Sequence, residues 1–590
     1  MRWILNEAAS SPGDTSGDAF AQTLSVLPAI GRALWARGIR DAAAADRYLN
    51  PKLADLFDPF LLKGAAVAVE RLQRALVDRD PICVYGDYDV DGVTSTALLV
   101  SILRKFAAFA PGAAKPARVD FYVPHRLKEG YGLNLDAVAK LREKGCKLLV
   151  TTDCGVTAVA EVDRATQLGL DVVIIDHHTA SQSAEGLPKA VAILNPHQPG
   201  CAFPSKELAA VGVAFHVLLA LRKRLREAGW FAGKKEPNLR EELDLVALGT
   251  VADVVPLVSS NRVLVHFGLV ELQRAARPGV QALKTVAQLG REVTAGDIGF
   301  KLGPRLNAAG RLDDASVGVR LLLSEDPSEA KQLAEELDRA NAERQDLQAR
   351  IASEAIEQAA RLGPPEERRS IVVSSAAWHA GVVGIVASRL VERFHRPALV
   401  LAEDAGVAKG SGRSVEGFHL YDALAACAQH VTRFGGHKHA AGVTLPASAI
   451  PLLAEAFEVE ARKTLTADNL EPRLKVDARL RPDECTIALA QALSRMAPFG
   501  AGNPEPVFLC DELSVDDARV LPDKRKAGPG HLKLKVKAGS SGTMDAIGFG
   551  LGASPPSAGA PVSAAFQLAI DAYFGTERLQ LKIKGLRPAG

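Results

Sequence analysis

Three apolar runs in the first third of the chain each end on an aspartate, and nothing else in the sequence constrains the fold as tightly. ICVYG (82–86) is followed by Asp87, LLVTTD (148–153) closes on Asp153, and VVIID (172–176) closes on Asp176, with His177 and His178 next. A fourth apolar run covers 190–194, and segments of helical spacing (134–144 and 158–168) lie between the runs. Alternating strands and helices predict a parallel sheet covered on both faces. In such a sheet the three aspartates all fall at carboxyl ends of strands, the edge where open α/β folds place their sites. A further acid, Asp253, sits in the apolar stretch ALGTVADVVPL, where an unpaired charge is costly.

The first of these aspartates opens DYDVDG, with Asp87, Asp89 and Asp91 at alternate positions and Gly92 after them. The spacing starts like an EF-hand calcium loop. That loop needs a bidentate glutamate at its twelfth position, which here is Leu98, so the reading fails at its strongest ligand. Acids converging on one edge repel each other unless cations lie between them. Hard divalent ions, Mg²⁺ or Mn²⁺, suit carboxylates, and imidazole tilts the balance toward Mn²⁺. Two such ions about 4 Å apart suit an in-line attack of water on phosphorus.

With 590 residues, and roughly 100–200 per domain, three to five domains are expected. The pattern divides the chain into an N-terminal helical segment (1–75), the parallel-sheet domain (76–325), a connecting helix (326–362), a second α/β domain (363–463) and an all-β segment (464–590). LWARGIRDAAAADRYLNP has helical spacing up to Pro51. The connecting helix has Asp326 as N-cap, Pro327 in its first turn and Glu329 placed to complete a capping box. Leu333, Leu337, Leu347, Ile351 and Ile356 give it an intermittent apolar stripe before Gly363. At 1.5 Å per residue it spans roughly 50 Å, a strut between lobes. HLKLKVK and ERLQLKIKGL read as strands of a small barrel or sandwich. Seven cysteines, none in a C-x-x-C pair, predict free thiols and a reducing compartment. The first residues lack a signal peptide's apolar core, and no uncharged apolar run reaches membrane-spanning length, so a cytoplasmic protein is expected.

Net charge is +2, so any nucleic-acid surface has to come from local patches. One is RFGGHKHAAG, where Gly435 and Gly436 let backbone N–H groups approach an anion and Arg433, His437 and His439 add donors; the glycines could equally serve turns. SGRS supplies Ser411, Arg413 and Ser414. Arg305 and Arg311 flank LNAAG and could grip phosphate or pair with Asp313 or Asp314. In HLKLKVK, strand alternation puts Lys533, Lys535 and Lys537 on one face, with Lys524, Arg525 and Lys526 just before them. A basic face on a small barrel suits a strand-binding groove. Phe499, Phe508 and Phe549 are the candidates there for base stacking.

DYDVDG, TTDCG, DHH and GTVADVVPL together resemble the DHH phosphoesterase superfamily, and within it the RecJ single-strand-specific exonucleases. YVPHRLKEGYGLN, LGPRLNAAGR, WHAGVVGIVASRL, RFGGHKHAAG and PFGAGNPEPVF match as well, in family order over about residues 28–590. The resemblance implies a parallel-sheet DHH domain, a long connecting helix, a second α/β (DHHA1) domain and a C-terminal OB-like domain. It implies two ions, Mn²⁺ or Mg²⁺, held by Asp87, Asp89, Asp91, Asp153, His177 and Asp253, with Asp153 bridging. Asp176 is expected to orient a histidine, and His178 to face the scissile phosphate. Asn307 and His379 join the substrate-binding set. Tyr85 departs from the pattern, because the superfamily often has a histidine there; Asp87 could replace that ligand. The implied activity is 5′→3′ hydrolysis of single-stranded DNA to 5′-mononucleotides in DNA repair and recombination. The implied state is a monomer, with single-strand-binding protein and helicases as further partners. Three rivals are a phosphodiesterase of short or cyclic nucleotides, a pyrophosphatase, and a DNA-binding scaffold on a decayed phosphoesterase fold.

Overall fold

The apolar runs form the core of a five-stranded, wholly parallel sheet. Its spatial order is Val119–Tyr122, Ile82–Tyr85, Leu148–Thr152, Asp171–Ile175, Ala192–Leu194. Both Ile82–Tyr85 and Leu148–Thr152 are buried throughout, as strands covered on both faces must be. Chain order reverses between these two strands, which makes their carboxyl ends the topological switch point of the sheet. The edge strand Val119–Tyr122 is not an apolar run. Its VDFY sequence is only partly buried, with Asp120 facing solvent, so apolar patterning does not reveal it. The computed structural model describes residues 1–590 except 6–14, 113–114, 127, 184–185, 313, 523–528, 538–541, 572–575 and 590. The chain divides into two compact units, one of Phe57–Pro472 and one of Met1–Leu56 with Arg473–Gly590.

In the larger unit, helices Ala210–Glu227, Leu243–Ala252, Ser259–Arg274 and Pro278–Val286 follow the sheet. The connecting helix runs Pro327–Ala360, and the Asp326 carboxylate accepts the Ser328 N–H at 2.8 Å. The expected capping box is not formed. Glu329 instead accepts the Ser324 hydroxyl at 2.5 Å; a nearby side-chain donor wins over the reach back to the cap. Two separate parts of the helix are buried. Ala330, Leu333, Ala334 and Leu337 pack among helices of the first lobe, and Ile351, Ala352, Ala355 and Ala359 join the core of the second. The helix therefore belongs to two cores. The second lobe is a five-stranded mixed sheet in the order Arg433–Gly436, Ala440–Pro446, Val407–Arg413, Ala398–Asp404, Ile371–Ser375.

In the smaller unit, six strands between Ala478 and Pro588 close into a barrel, where Phe508–Leu521 pairs with Pro561–Asp571. HLKLKVK alternates as expected, with Leu532, Leu534 and Val536 inside and Lys533, Lys535 and Lys537 outside. The 34–50 stretch falls in two short helices, Pro28–Ala36 and Ala42–Leu49, because Asp41 caps a new start by accepting the Ala44 N–H. Ile30, Leu34 and Leu49 enter the same apolar core as Leu489, Phe508, Val536 and Phe566. Buried Arg32 donates to the Arg479 carbonyl and pairs with Asp18 and Glu484. Strand Arg2–Leu5 lies parallel to Arg473–Val476. All seven cysteines are free. Among the described residues no helix is long and apolar enough to cross a membrane.

Candidate metal centre and phosphate pocket

Each acid of the rim is placed by a different local device. Asp87 follows strand Ile82–Tyr85 after a single glycine, Gly86. Asp89 is the N-cap of helix Val90–Ala107, its carboxylate accepting the Gly92 N–H at 3.0 Å. Asp91 lies in the first turn and accepts the N–H groups of Ala210 (2.6 Å) and Val211 (2.9 Å) at the start of Ala210–Glu227. Gly92 allows the loop to fold this tightly: a β-carbon there would lie 2.5 Å from the Asp87 carbonyl oxygen. Asp153 ends its strand in the left-handed region, at φ 61, a strain that persists only where the surroundings enforce it. Asp253 is the C-cap of Leu243–Ala252.

These devices bring ligand atoms into two acid groups among the described residues, Asp87 with Asp89 and Asp153, and Asp91 with His177 and Asp253, and a third set, Asp153 with His177 and His178, links them. His177 Nε2 is 3.2 Å from Asp153, 3.7 Å from Asp253 and 3.8 Å from Asp91. Burial first, then neighbouring acids, push Asp87, Asp91, Asp153 and Asp253 above the ordinary carboxylate range. Burial and the charge of His178 lower His177 to about 4, so its imidazole is neutral. Asp87 Oδ1, Asp153 Oδ1 and His177 Nε2 are buried without a hydrogen-bond partner. Orphaned oxygens beside a neutral imidazole nitrogen are what a divalent cation satisfies. The residues therefore fit one cation in each group, with Asp153 next to both.

Asp176 sits one layer back. Its carboxylate accepts backbone N–H groups of Val156, His177 and His178, and bonds His178 Nδ1 at 2.8 Å. Burial opposes ionisation here, but the His178 bond and charge hold Asp176 below its usual range. In turn, and against burial, Asp176 raises His178 to about 9, so this ring carries a proton at neutral pH. The histidine that Asp176 holds is thus His178. Tyr85 does not reach the acids: its hydroxyl donates to the Gly132 carbonyl at 2.9 Å and its ring stacks on Tyr122. Asp87 completes the carboxylate group in its place. Two neighbours in YVPHRLKEGYGLN escape a reading by residue type. Tyr131 donates to the Asp153 carbonyl at 3.2 Å and lies edge-on to His178, and the Arg126 guanidinium covers the Tyr88 ring at 4.7 Å. Only their place inside a matching motif points to them.

A basic pocket faces this rim. Strand alternation puts Ser411 and Arg413 on one face, and Arg413 donates to the Ser411 hydroxyl at 2.9 Å. The first turn of helix Val383–Phe394 abuts them: a β-carbon at Gly384 would lie 3.1 Å from Ser411 Oγ and 3.3 Å from an Arg413 nitrogen. Arg311 crosses from the first lobe to the Gly381 carbonyl at 3.2 Å. Burial, then the charges of Arg126 and Arg344, lowers it to about 10, and burial and Arg126 lower Arg413 as well. Arg126, Arg311 and Arg413 make no carboxylate ion pair with a described residue. Positive charge crowded beside a helix N-terminus is an anion site. His437, on the edge strand side of the glycine-rich segment, stacks 6.5 Å from His178, and Arg433, Gly435 and Gly436 are exposed on that edge.

Other expected contacts lie elsewhere. Arg305 pairs with Asp338 at 2.8 Å and with the Lys301 carbonyl, while the Asp314 carboxylate binds Ser316; Asp313 is outside the described residues. His379 accepts the Gly381 N–H, Ser414 donates to the Phe418 carbonyl, and Asn307 is half-buried. In the barrel, Lys535 lies between Asp517 and Asp545 on the flanking strands, and Lys537 pairs with Asp516 at 2.6 Å. Phe508 is core, Phe499 packs against it, and Phe549 is exposed. Lys524, Arg525 and Lys526 fall outside the described residues.

An acid rim at a parallel-sheet switch point, faced by a basic pocket on a second α/β lobe, defines a phosphoesterase of the DHH–DHHA1 type. Residues 81–250 match the DHH family N-terminal domain, 368–463 the DHHA1 domain and 476–585 the RecJ OB domain. The single-stranded-DNA-specific exonuclease RecJ of Dickeya dadantii (strain 3937) is 42% identical over 577 residues, covering 95% of this chain and 96% of that protein. That of Escherichia coli (strain K12) is 40% identical over 590 residues, covering 97% and 98%. The crystal structure of RecJ in complex with Mn²⁺ from Thermus thermophilus covers 100% of this chain and 80% of its own, with TM-score 0.82 and 31% identity. The chain belongs to the RecJ family of exonucleases.

Proposed function

We propose that the chain is a divalent-cation-dependent exonuclease that hydrolyses single-stranded DNA 5′→3′ to 5′-mononucleotides, in DNA repair and recombination. One observation carries the reading: two carboxylate groups share the neighbourhood of Asp153, hold orphaned buried atoms, and face an arginine pocket. Family membership supports the substrate, since the relatives at 37–42% identity are named for single-stranded DNA. Polarity and product rest on resemblance alone.

Asp87, Asp89 and Asp153 would hold one Mn²⁺ or Mg²⁺, and Asp91, His177 and Asp253 the other. When bound, such a pair polarises a phosphoryl oxygen and makes a strong nucleophile of water at neutral pH. The chain's own residues do the rest. Asp176 keeps His178 protonated and aimed across the rim, where the ring donates to a phosphate oxygen. Arg311, Arg413 and Ser411, with the first turn of Val383–Phe394, hold a phosphate and fix the strand's register. His437 and the exposed glycine edge border the same space. The barrel would add single-strand affinity through Lys533, which has no acid opposite it in the ladder.

The test uses 5′- and 3′-labelled oligonucleotides, single-stranded and duplex, with Mn²⁺, Mg²⁺ or chelator. Metal-dependent release of labelled mononucleotide first from the 5′-labelled single strand is expected. Digestion in chelator, or by Asp153→Ala at the wild-type rate, would overturn the reading, and early release from the 3′ label would overturn its polarity.

A further inference from the structure

The most exposed large apolar side chain among the described residues is Phe300, at 85%. It sits in the π-helical turn Ile298–Leu302, whose Ile298 and Leu302 are buried. A π turn inserts an extra residue into a helix and is rare away from functional sites; here it turns a phenylalanine into solvent between two core residues. The turn packs against the end of helix Leu243–Ala252: a β-carbon at Gly303 would lie 3.4 Å from that of Ala252. Ala295, Val251 and Leu257 share one small apolar cluster beneath it. Asp253, a member of the second acid group, follows Ala252, and Val254 after it is 70% exposed in the left-handed region, at φ 62. The helix that continues from the turn, Gly303–Leu312, reaches the other acid group, because a β-carbon at Gly310 would lie 2.4 Å from the Tyr88 carbonyl oxygen.

We propose that Phe300 is a platform on which one nucleobase of the strand stacks as its backbone lies along the acid rim. The inference rests on the function proposed above and adds a positioning residue to it. A single exposed ring is too small a patch for a protein partner, whose apolar contact needs several hundred Å². Lys301, exposed and paired with Asp297, borders the ring with charge. An exposed ring flanked by charge, on a turn packed against the helix that Asp253 caps, matches the π-face of a base, which stacks regardless of sequence.

The test compares wild type, Phe300→Ala, Phe300→Leu and Phe300→Trp on oligo(dT) and on an oligomer of abasic sites. Binding is read by anisotropy in chelator, and KM and kcat with Mn²⁺. Phe300→Ala and Phe300→Leu are expected to weaken oligo(dT) binding and raise KM about fivefold or more, with kcat little changed and thermal stability retained. Phe300→Trp should keep wild-type values, and the abasic oligomer should not distinguish the variants. Equal binding of oligo(dT) by wild type and Phe300→Ala overturns the platform, as does an equal loss on the abasic oligomer. A wild-type chain that neither binds nor cuts oligo(dT) overturns the function itself.

Discussion

The acid rim and the lysine stripe of the barrel are both sequences of like charge at alternate positions, and the fold treats them in opposite ways. In DYDVDG the acids are drawn inward and crowded with Asp153 and Asp253, and Asp87 Oδ1 and Asp153 Oδ1 are left orphaned. In HLKLKVK the lysines stay outside: Lys537 pairs with Asp516, and Lys535 stands opposite Asp517 and Asp545 in the ladder, Asp517 itself being paired with Arg519. Charge that the fold buries and does not satisfy is held for something that arrives later. Charge that the fold pairs is held largely for the fold. Alternation alone cannot separate the two cases; the partners can.

That contrast breaks most easily at Asp153. Asp153→Ala is expected to lower activity by ~10³-fold or more, since it removes a group adjacent to both acid clusters. The same change should abolish the gain in thermal stability that Mn²⁺ gives wild type, about 2.7 kcal/mol at a hundredfold excess over Kd. A variant still stabilised by Mn²⁺ would mean that the cation lies elsewhere. The arginine pocket comes next. A hydrogen bond between charged groups is worth about 1.5–3 kcal/mol, so Arg311→Ala and Arg413→Ala should each raise KM by ~10–100-fold with a smaller effect on kcat. Unchanged KM in both would remove the pocket from the substrate's path. Asp176→Asn tests the layer behind the rim. It keeps one acceptor oxygen, turns the other into an NH2 donor, and removes the negative charge that holds His178 protonated. The expected loss is ~10–100-fold in activity, with the fold retained by circular dichroism.

Much of this was legible beforehand, for a physical reason. A buried parallel strand is a continuous apolar run, and its carboxyl end is where the fold opens, so Asp87, Asp153 and Asp176 could be placed on one edge without coordinates. The two lobes, the long helix and the barrel followed from the same periodicities. What stayed hidden depends on contacts that spacing does not encode. Arg2–Leu5 pairs with Arg473–Val476, and Ile30 and Leu34 share a core with Phe508 and Phe566, across almost the whole chain. Glu329 turned from its cap to Ser324, a choice between two acceptable partners. Asp176 took His178, and Arg305 found Asp338, an acid on another helix. Tyr131 reads as an ordinary exposed tyrosine until the loop carrying it closes over Asp153.

The smallest expected effect bears most directly on the comparison. If Lys537 is spent on Asp516, then Lys537→Ala should change single-strand affinity by less than about threefold and leave the salt dependence nearly intact, because a free phosphate contact would contribute close to one unit of slope. The complementary change is more informative. Asp516→Asn frees the lysine, and a cross-strand charge pair is worth roughly 0.2–1 kcal/mol. Affinity should therefore rise, by no more than about fivefold, and the salt slope should steepen. Both are read from titrations of labelled oligo(dT) at several salt concentrations. If Lys537→Ala instead costs tenfold and Asp516→Asn changes nothing, the lysine already faces phosphate, and paired charge in this barrel serves binding as well as folding.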